Sequence, residues 1–203
     1  MDILIVVIYS YTCGSIPFGL ILTKIFTKKD VRKVGSGNIG ATNVLRTGNK
    51  FLAALTLFLD MAKGYFPVII TMKFFPEFTQ ISCLISFLGH VFPIWLKFKG
   101  GKGVATYLGI LFALSIQSSF LFIFTWIVVS LIFKYSSLSS MFSSLTVLVI
   151  TLIKENTLQF IRPEFNYGED IKLILFIFFI LIMFTHRQNI INLKNKTEQK
   201  IKI

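Results

Sequence analysis

The sequence predicts an all-α integral membrane protein, a polytopic bundle of about seven transmembrane helices. Three observations lead there: 54% of the 203 residues are hydrophobic, the mean hydropathy is +0.75, and the apolar residues fall into long runs separated by short basic segments. A soluble domain of this length does not reach that apolarity. One compact membrane domain over residues 1–203 is therefore expected, with 187–203 as a basic tail. The net charge of +12 would suit a nucleic-acid binder if it covered a soluble face, but the cations lie between apolar runs, so membrane topology explains them and nucleic acid is not expected as a partner. Cys13 and Cys83 both sit inside apolar runs, so neither a disulfide framework nor a zinc site is indicated, and no metal or cofactor is expected. Asp2 precedes the first apolar run and no basic residue does, which argues against a cleaved signal peptide.

Against about 20 residues per crossing, the apolar runs place spans at 3–23, 51–72, 81–95, 104–116, 119–133, 138–153 and 171–185. The first is interrupted by Gly14-Ser15-Ile16-Pro17-Phe18-Gly19, a pattern that marks a kink or close packing. The second carries Asp60 and Lys63 three residues apart, so the two charges meet on one helical face and lessen each other's desolvation; a structural or supporting role is expected. In the third, His90 stands within Gly89-His90-Val91-Phe92-Pro93 and reads as a satisfied core residue. Several spans are shorter than a full crossing, which calls for tilted helices or re-entrant pieces shielded by protein.

Lysine and arginine placement orients the bundle. Sixteen of these residues fall on one side, from Lys24 through Lys50, at Lys97, Lys99 and Lys102, at Lys134, and from Arg187 to the end; Lys154, Arg162 and Lys172 fall on the other, among Asp2, Glu77, Glu155, Glu164, Glu169 and Asp170. The N-terminus is then outside and the C-terminus cytoplasmic, and every polar motif lies on the cytoplasmic face.

The most informative motif is Gly35-Ser36-Gly37-Asn38-Ile39-Gly40-Ala41-Thr42-Asn43-Val44-Leu45-Arg46. Three glycines allow positive φ and close backbone approach, so that successive N–H groups converge on an anion. Ser36, Asn38, Thr42 and Asn43 add side-chain donors and Arg46 a charged fork suited to phosphate. Gly35, Gly37 and Gly40 also fit a dinucleotide fingerprint, but the strand and helix that fingerprint needs are missing. Gly100-Gly101-Lys102-Gly103 resembles part of a P-loop without its upstream glycine or following Ser/Thr. Nucleotide hydrolysis is not indicated; a flexible turn presenting Lys102 just before a helix is. Lys97 and Lys99 read as headgroup anchors. His186, directly after the seventh span and beside Arg187 and Asn189, reads either as a proton acceptor for a substrate hydroxyl or as an interfacial helix cap. No G-x-S-x-G elbow is present, which argues against covalent catalysis.

Taken in order, Gly14-Ser-Ile-Pro-Phe-Gly19, the 35–46 loop, Asp60-x-x-Lys63-Gly64, Gly89-His90-x-Phe92-Pro93, Phe98-Lys-Gly-Gly-Lys-Gly-Val-Ala-Thr106, Ser137-Leu-Ser-Ser140 and His186-Arg-x-Asn-Ile190 resemble the bacterial membrane family of acyl-phosphate:glycerol-3-phosphate acyltransferases, the PlsY family. The resemblance covers nearly the whole chain. It implies a seven-helix enzyme of the bacterial cytoplasmic (inner) membrane that moves a fatty acyl group from acyl phosphate, not acyl-CoA, to the first hydroxyl of glycerol 3-phosphate, the first acylation of phospholipid synthesis. The partners implied are acyl phosphate, glycerol 3-phosphate, membrane lipids and the enzyme that makes acyl phosphate.

Carried over, catalytic roles fall on His186, Asn189 and Ser140, and phosphate binding on Ser36, Gly37, Asn38, Thr42, Asn43, Arg46, Gly101, Lys102 and Ser137. The His-x4-Asp pattern of other glycerolipid acyltransferases is absent, because His90 leads to Trp95 and His186 to Ile191. After Asn189 the chain departs from the family: Asn192 and Lys196 stand where an arginine and then a glycine are usual, and Glu198, which aligns with a family acid, is left without a role. A transporter of organic phosphates would use similar loops, but it predicts an inverted repeat, and the 35–46 loop has no counterpart later in the chain. A scaffold subunit would leave the clustered Gly, Ser, Asn, Arg, Lys and His without a purpose.

Overall fold

Hydropathy alone requires that each apolar run satisfy its own backbone, and all seven do so as helices. The computed structural model describes residues 1–161 and 170–201, and among them there is no strand. The helices are α1 (Asp2–Ser15), α2 (Phe18–Thr27), α3 (Ala41–Leu45), α4 (Lys50–Phe74), α5 (Thr79–Val91), α6 (Val104–Leu114), α7 (Ile116–Phe133), α8 (Ser136–Ile161), α9 (Asp170–Thr185) and α10 (Arg187–Lys194). Among the described residues five segments are long and apolar enough to cross a bilayer: Asp2–Thr27, Lys50–Phe74, Pro76–Leu96, Ile116–Phe133 and Ser136–Lys154. The helix of the last apolar run, Ile171–Thr185, meets Arg187–Lys194 at a bend of 56°, and α6 has only 11 residues, about 16 Å of helix against a hydrocarbon core of about 30 Å. Arg162, Glu164, Glu169 and Lys202, used above to orient the bundle, lie outside the described residues.

The chain divides into two compact units, Met1–Leu114 and Ser115–Ile203. In the first, the expected single span 3–23 is two helices, because Ile16 is extended and Pro17 cannot donate to a continuing ladder. The glycines on either side of the break are contact points. A Cβ on Gly14 would strike the backbone of Ser86, one on Gly89 would strike that of Tyr11, Gly14 and Ser15, and one on Gly19 would strike the Ile39 carbonyl. So α1 crosses α5 backbone to backbone, and α2 presses against the first glycine loop, the small-residue packing that lets membrane helices approach closely. On the other side of the unit, Gly64 and Gly109 do the same for α4 and α6, against Thr106 and Met61. Hydroxyls add to the packing, Ser10 with Ser82 at 2.9 Å between α1 and α5 and Tyr9 with Thr71 between α1 and α4. Asn49 caps α4 by accepting from Leu52 N–H.

In the second unit, α8 packs between α7 and α9. One face of α8 carries Ser137, Ser139, Ser140, Ser143 and Ser144, all buried. A hydroxyl in an apolar interior needs a partner, and four of them take a carbonyl in the preceding turn: Ser139 donates to Tyr135, Ser140 to Ser136, Ser143 to Ser139 and Ser144 to Met141. Val147, Leu148, Leu175, Phe178 and Ile182 fill the rest of this core. Outward-facing residues remain apolar, including Phe51, Phe58, Phe66 and Phe74 on α4 and Phe124, Leu131 and Ile132 on α7, as a lipid-facing surface requires.

Candidate active site

The first loop folds around one side chain. Asn43, 2% exposed, directs its amide nitrogen at the carbonyls of Val31, Val34 and Asn38, at 2.9, 2.9 and 2.7 Å. Its carbonyl oxygen accepts from the Ser36 backbone N–H at 3.0 Å and lies 3.5 Å from an Arg46 guanidinium nitrogen. Beneath it Val31, Ile39 and Val44 pack with Leu20, Leu22, Leu52 and Ala53. Gly35, at φ +53°, leaves the space that Arg46 occupies, since a Cβ there would meet both the Arg46 side chain and Asn43 Oδ1.

Several expectations change here. Asn43 was expected to donate to phosphate, but its amide protons are committed to the loop. Of the three glycines expected at positive φ, Gly35 and Gly37 have it (+53° and +71°) and Gly40 does not (−80°). The expected convergence of backbone N–H groups also fails at three positions. Ser36 N–H points to Asn43, Gly37 N–H to the Val34 carbonyl at 3.0 Å and Gly40 N–H to Asn38 Oδ1 at 3.1 Å. The loop is held together by its own donors, and what it offers outward is exposed Ser36 and Gly37 and half-buried Thr42 and Arg46.

Upstream, Asp30 caps the short turn at 31–33 and forks with Arg32 at 2.6 Å. The Arg32 side-chain hydrogen bonds hold the Asp30 carboxyl down to about 2. Arg32 and Gly37 line a cavity of about 510 Å3 together with Ile39, Trp95, Lys97, Lys99 and Gly100. Lys97 and Lys99 therefore do more than the expected headgroup anchoring: they bring positive charge to a cavity that both glycine loops border.

The second loop is attached to the end of α5. Gly100 N–H donates to the Val91 carbonyl and Gly101 N–H to the His90 carbonyl, at 3.0 and 3.1 Å. A Cβ on Gly101 would run into the His90 ring, and one on Gly103, at φ +81°, into the Phe87 ring. Lys102 is held between these two glycines, half-buried. Asp60 and Lys63 do meet, with Nζ 2.7 Å from Oδ1 and both residues buried, and Lys63 Nζ also donates to the Ile16 carbonyl at the α1–α2 break at 2.7 Å. His90 is not the satisfied core residue expected: its Nδ1 is buried without a hydrogen bond, 3.8 Å from Asp60 Oδ1.

In the second unit two of the expected residues, Ser137 and Asn189, gather around one that the sequence leaves without a role. Glu198 Oε1 accepts from Ser137 Oγ at 2.7 Å and from Asn189 Nδ2 at 2.6 Å, and Oε2 lies 3.4 Å from Asn192 Nδ2. The tail returns to this point because the Ile201 N–H donates to the Lys134 carbonyl at 2.8 Å. Lys196 turns the chain with φ +58°, the left-handed region that glycine enters most easily. A lone acid among Lys194, Lys196 and Lys200 was the signal that Glu198 had partners. Ser140, one turn along α8 from Ser137, accepts from Trp126 Nε1 at 3.2 Å. His186, 1% exposed, has Nδ1 2.8 Å from the Ile182 carbonyl. A carbonyl only accepts, so the neutral ring carries its proton on Nδ1 and Nε2 is its basic nitrogen. Among the described residues no group of His, Cys, Asp and Glu is arranged to hold a metal ion.

Comparison with known proteins supplies the context. The family described as glycerol-3-phosphate acyltransferase matches residues 4–196. A glycerol-3-phosphate acyltransferase of Pelagibacter ubique (strain HTCC1062) is 54% identical over 203 residues, covering 100% of both chains, and one of Wolbachia pipientis wMel is 46% identical, covering 98% of each. Among solved structures, the glycerol 3-phosphate form of PlsY, an integral membrane glycerol 3-phosphate acyltransferase, superposes with a TM-score of 0.89 at 34% identity, over 100% of this chain and 96% of that one. The lysophosphatidic acid form gives 0.86 at 33% identity, over 98% and 95%.

Proposed function

The chain belongs to the glycerol-3-phosphate acyltransferase family, and from that membership we propose that it transfers a fatty acyl group from acyl phosphate to the sn-1 hydroxyl of glycerol 3-phosphate. The hydroxyl oxygen bonds to the acyl carbon, the carbon–oxygen bond to phosphate breaks, and lysophosphatidic acid and inorganic phosphate leave. The observation that carries this reading is that one oxygen, Asn43 Oδ1, organises both Ser36 and Arg46. A permanently charged guanidinium and the backbone of a residue with an exposed side chain are thereby brought together on one small loop, an arrangement suited to recognition of a phosphate.

Arg46 and Lys102 neutralise the phosphates, with Ser36, Gly37, Asn38, Thr42 and Gly101 around them and Asn43 shaping the loop. Acyl phosphate is an activated mixed anhydride, so positioning and charge stabilisation do most of the chemistry and no enzyme nucleophile is needed. His186 Nε2 takes the hydroxyl proton, and Ser140, Ser137 and Asn189 supply polar groups to the reacting centre. The whole chain acts as one membrane-embedded domain with seven crossings, α6 the short one, and the residues from 187 onward form a cytoplasmic tail. The N-terminus lies outside and the reaction faces the cytoplasm at the bacterial inner membrane, where the enzyme that makes acyl phosphate can supply it.

Purified protein in detergent, given labelled glycerol 3-phosphate with either palmitoyl phosphate or palmitoyl-CoA, tests the donor. Lysophosphatidic acid from palmitoyl phosphate alone is expected; product from the CoA ester alone overturns the donor assignment. Arg46→Ala and Lys102→Ala should each lower kcat/KM by about 100-fold or more while the protein still inserts and melts normally. Full activity in both variants would remove the phosphate site.

A further inference from the structure

We propose that His90, braced by the buried Asp60–Lys63 pair, is a positioning residue whose ring seats the Gly100–Gly103 loop and so sets where Lys102 stands. The inference rests on Lys102 being a phosphate ligand. Three helices and a loop converge on this cluster. Lys63 bridges Asp60 on its own helix α4 to the Ile16 carbonyl at the α1–α2 break, Asp60 faces His90 Nδ1 on α5, and the Nε2 side of the same ring lies against Gly101. All three side chains are buried, at 2%, 5% and 4% exposure for Asp60, Lys63 and His90.

Such an arrangement is hard to explain as a source of stability. Desolvating a buried ion pair offsets most of its attraction, and a well-packed apolar pair is often as stable. A buried ring nitrogen without a hydrogen bond is itself unfavourable. What the cluster does achieve is placement. The His90 carbonyl binds the Gly101 N–H and the ring fills the space a Cβ would take, so the residue before Lys102 is held by both backbone and side chain of one histidine. The absence of a side chain at Gly101 follows from that contact.

The contact can be inverted to test it. Gly101→Ala drives a methyl into the ring and displaces Lys102, whereas His90→Ala clears the space again. In the full-length protein, with saturating palmitoyl phosphate, Gly101→Ala is expected to lower kcat/KM for glycerol 3-phosphate by about 100-fold, mostly through KM, since misplacement by about 1 Å has that cost. His90→Ala alone should lower it by about 10-fold, and Gly101→Ala/His90→Ala should recover at least about 5-fold over Gly101→Ala, with cooperative melting retained in each. A double variant no better than Gly101→Ala, or a His90→Ala enzyme at the wild-type value, overturns the proposal. Should His90→Ala fail to melt cooperatively, His90→Asn, alone and with Gly101→Ala, is read by the same criteria. Lys102→Ala separates the two levels of inference: wild-type kcat/KM there removes the phosphate-binding reading, while an inactive Lys102→Ala with an unrescued Gly101→Ala overturns the role of His90 alone.

Discussion

Asn43 and Glu198 are the polar centres of their respective units, and they are built in opposite ways. Asn43 is neutral, buried, and gathers groups between 3 and 12 residues away in sequence, chiefly by donating to carbonyls. Glu198 is half-buried and charged, only accepts, and joins Asn189 and Asn192 on α10 to Ser137, 61 residues earlier. The first is a loop organised by its own sequence; the second is a clasp between a tail and a distant helix. A local hub shapes one element, whereas a clasp decides whether two elements meet at all.

Removing the hubs separates these roles, and the largest effect is expected at Asn43. Asn43→Ala strips three carbonyls and the Ser36 N–H of their partner, and each group left unsatisfied in a buried setting costs about 1–3 kcal/mol, so the variant should lose at least about 3 kcal/mol of stability. Thermal melting in detergent, together with amide exchange over residues 31–46, measures this; a melt within error of the parent would mean that water replaces Asn43 and that the loop is not built on it. Glu198→Ala should cost less, about 1–2 kcal/mol, because Glu198 is itself only half-buried and its removal strips two close donors, Ser137 and Asn189, rather than four groups. Glu198→Gln keeps an acceptor and should recover part of the loss. Proteolysis of the tail reports the clasp directly, and a tail no more accessible in Glu198→Ala would break the comparison. Asn192→Ala, whose bond is 3.4 Å long, should change the tail least.

The smallest effect concerns pH. Asp30 is held down to about 2 by Arg32, so its pair is intact above the ordinary carboxylate range near pH 4, and its contribution is lost as pH falls from there through about 2. The pair is partly exposed and screened by salt. A slight loosening of residues 30–34 over that window, seen by amide exchange and absent in Asp30→Asn, is the expected result; identical profiles for the two proteins would show that the pair holds nothing.

The same contrast explains what could be read from the sequence. Helix positions were legible because lipid leaves the backbone no other way to satisfy itself, and the α1–α2 break was legible because Pro17 lacks a donor. The 35–46 loop was legible as a glycine-rich element with polar donors and Arg46 at its end, since its residues are contiguous. The direction of the Asn43 amide was not legible, because an amide that binds phosphate and one that binds three carbonyls look identical in a sequence. Ser137 with Glu198, His90 against Gly101, and Arg32 with Lys97 around one cavity were hidden for another reason. The first and last depend on chain segments dozens of residues apart and the second on a loop folding back onto the helix before it, and no periodicity records such a meeting.

The crossing of Gly14 with Gly89 also sets a clock on the birth of the molecule. Helix α1 leaves the ribosome before α5, yet the backbone it must fit against lies 75 residues later. At about 5–20 residues per second, α1 waits about 4–15 s before α5 has been synthesised. Throughout that interval its small-residue face is turned to lipid or to the insertion machinery, so α1 waits in the bilayer for the helix it crosses.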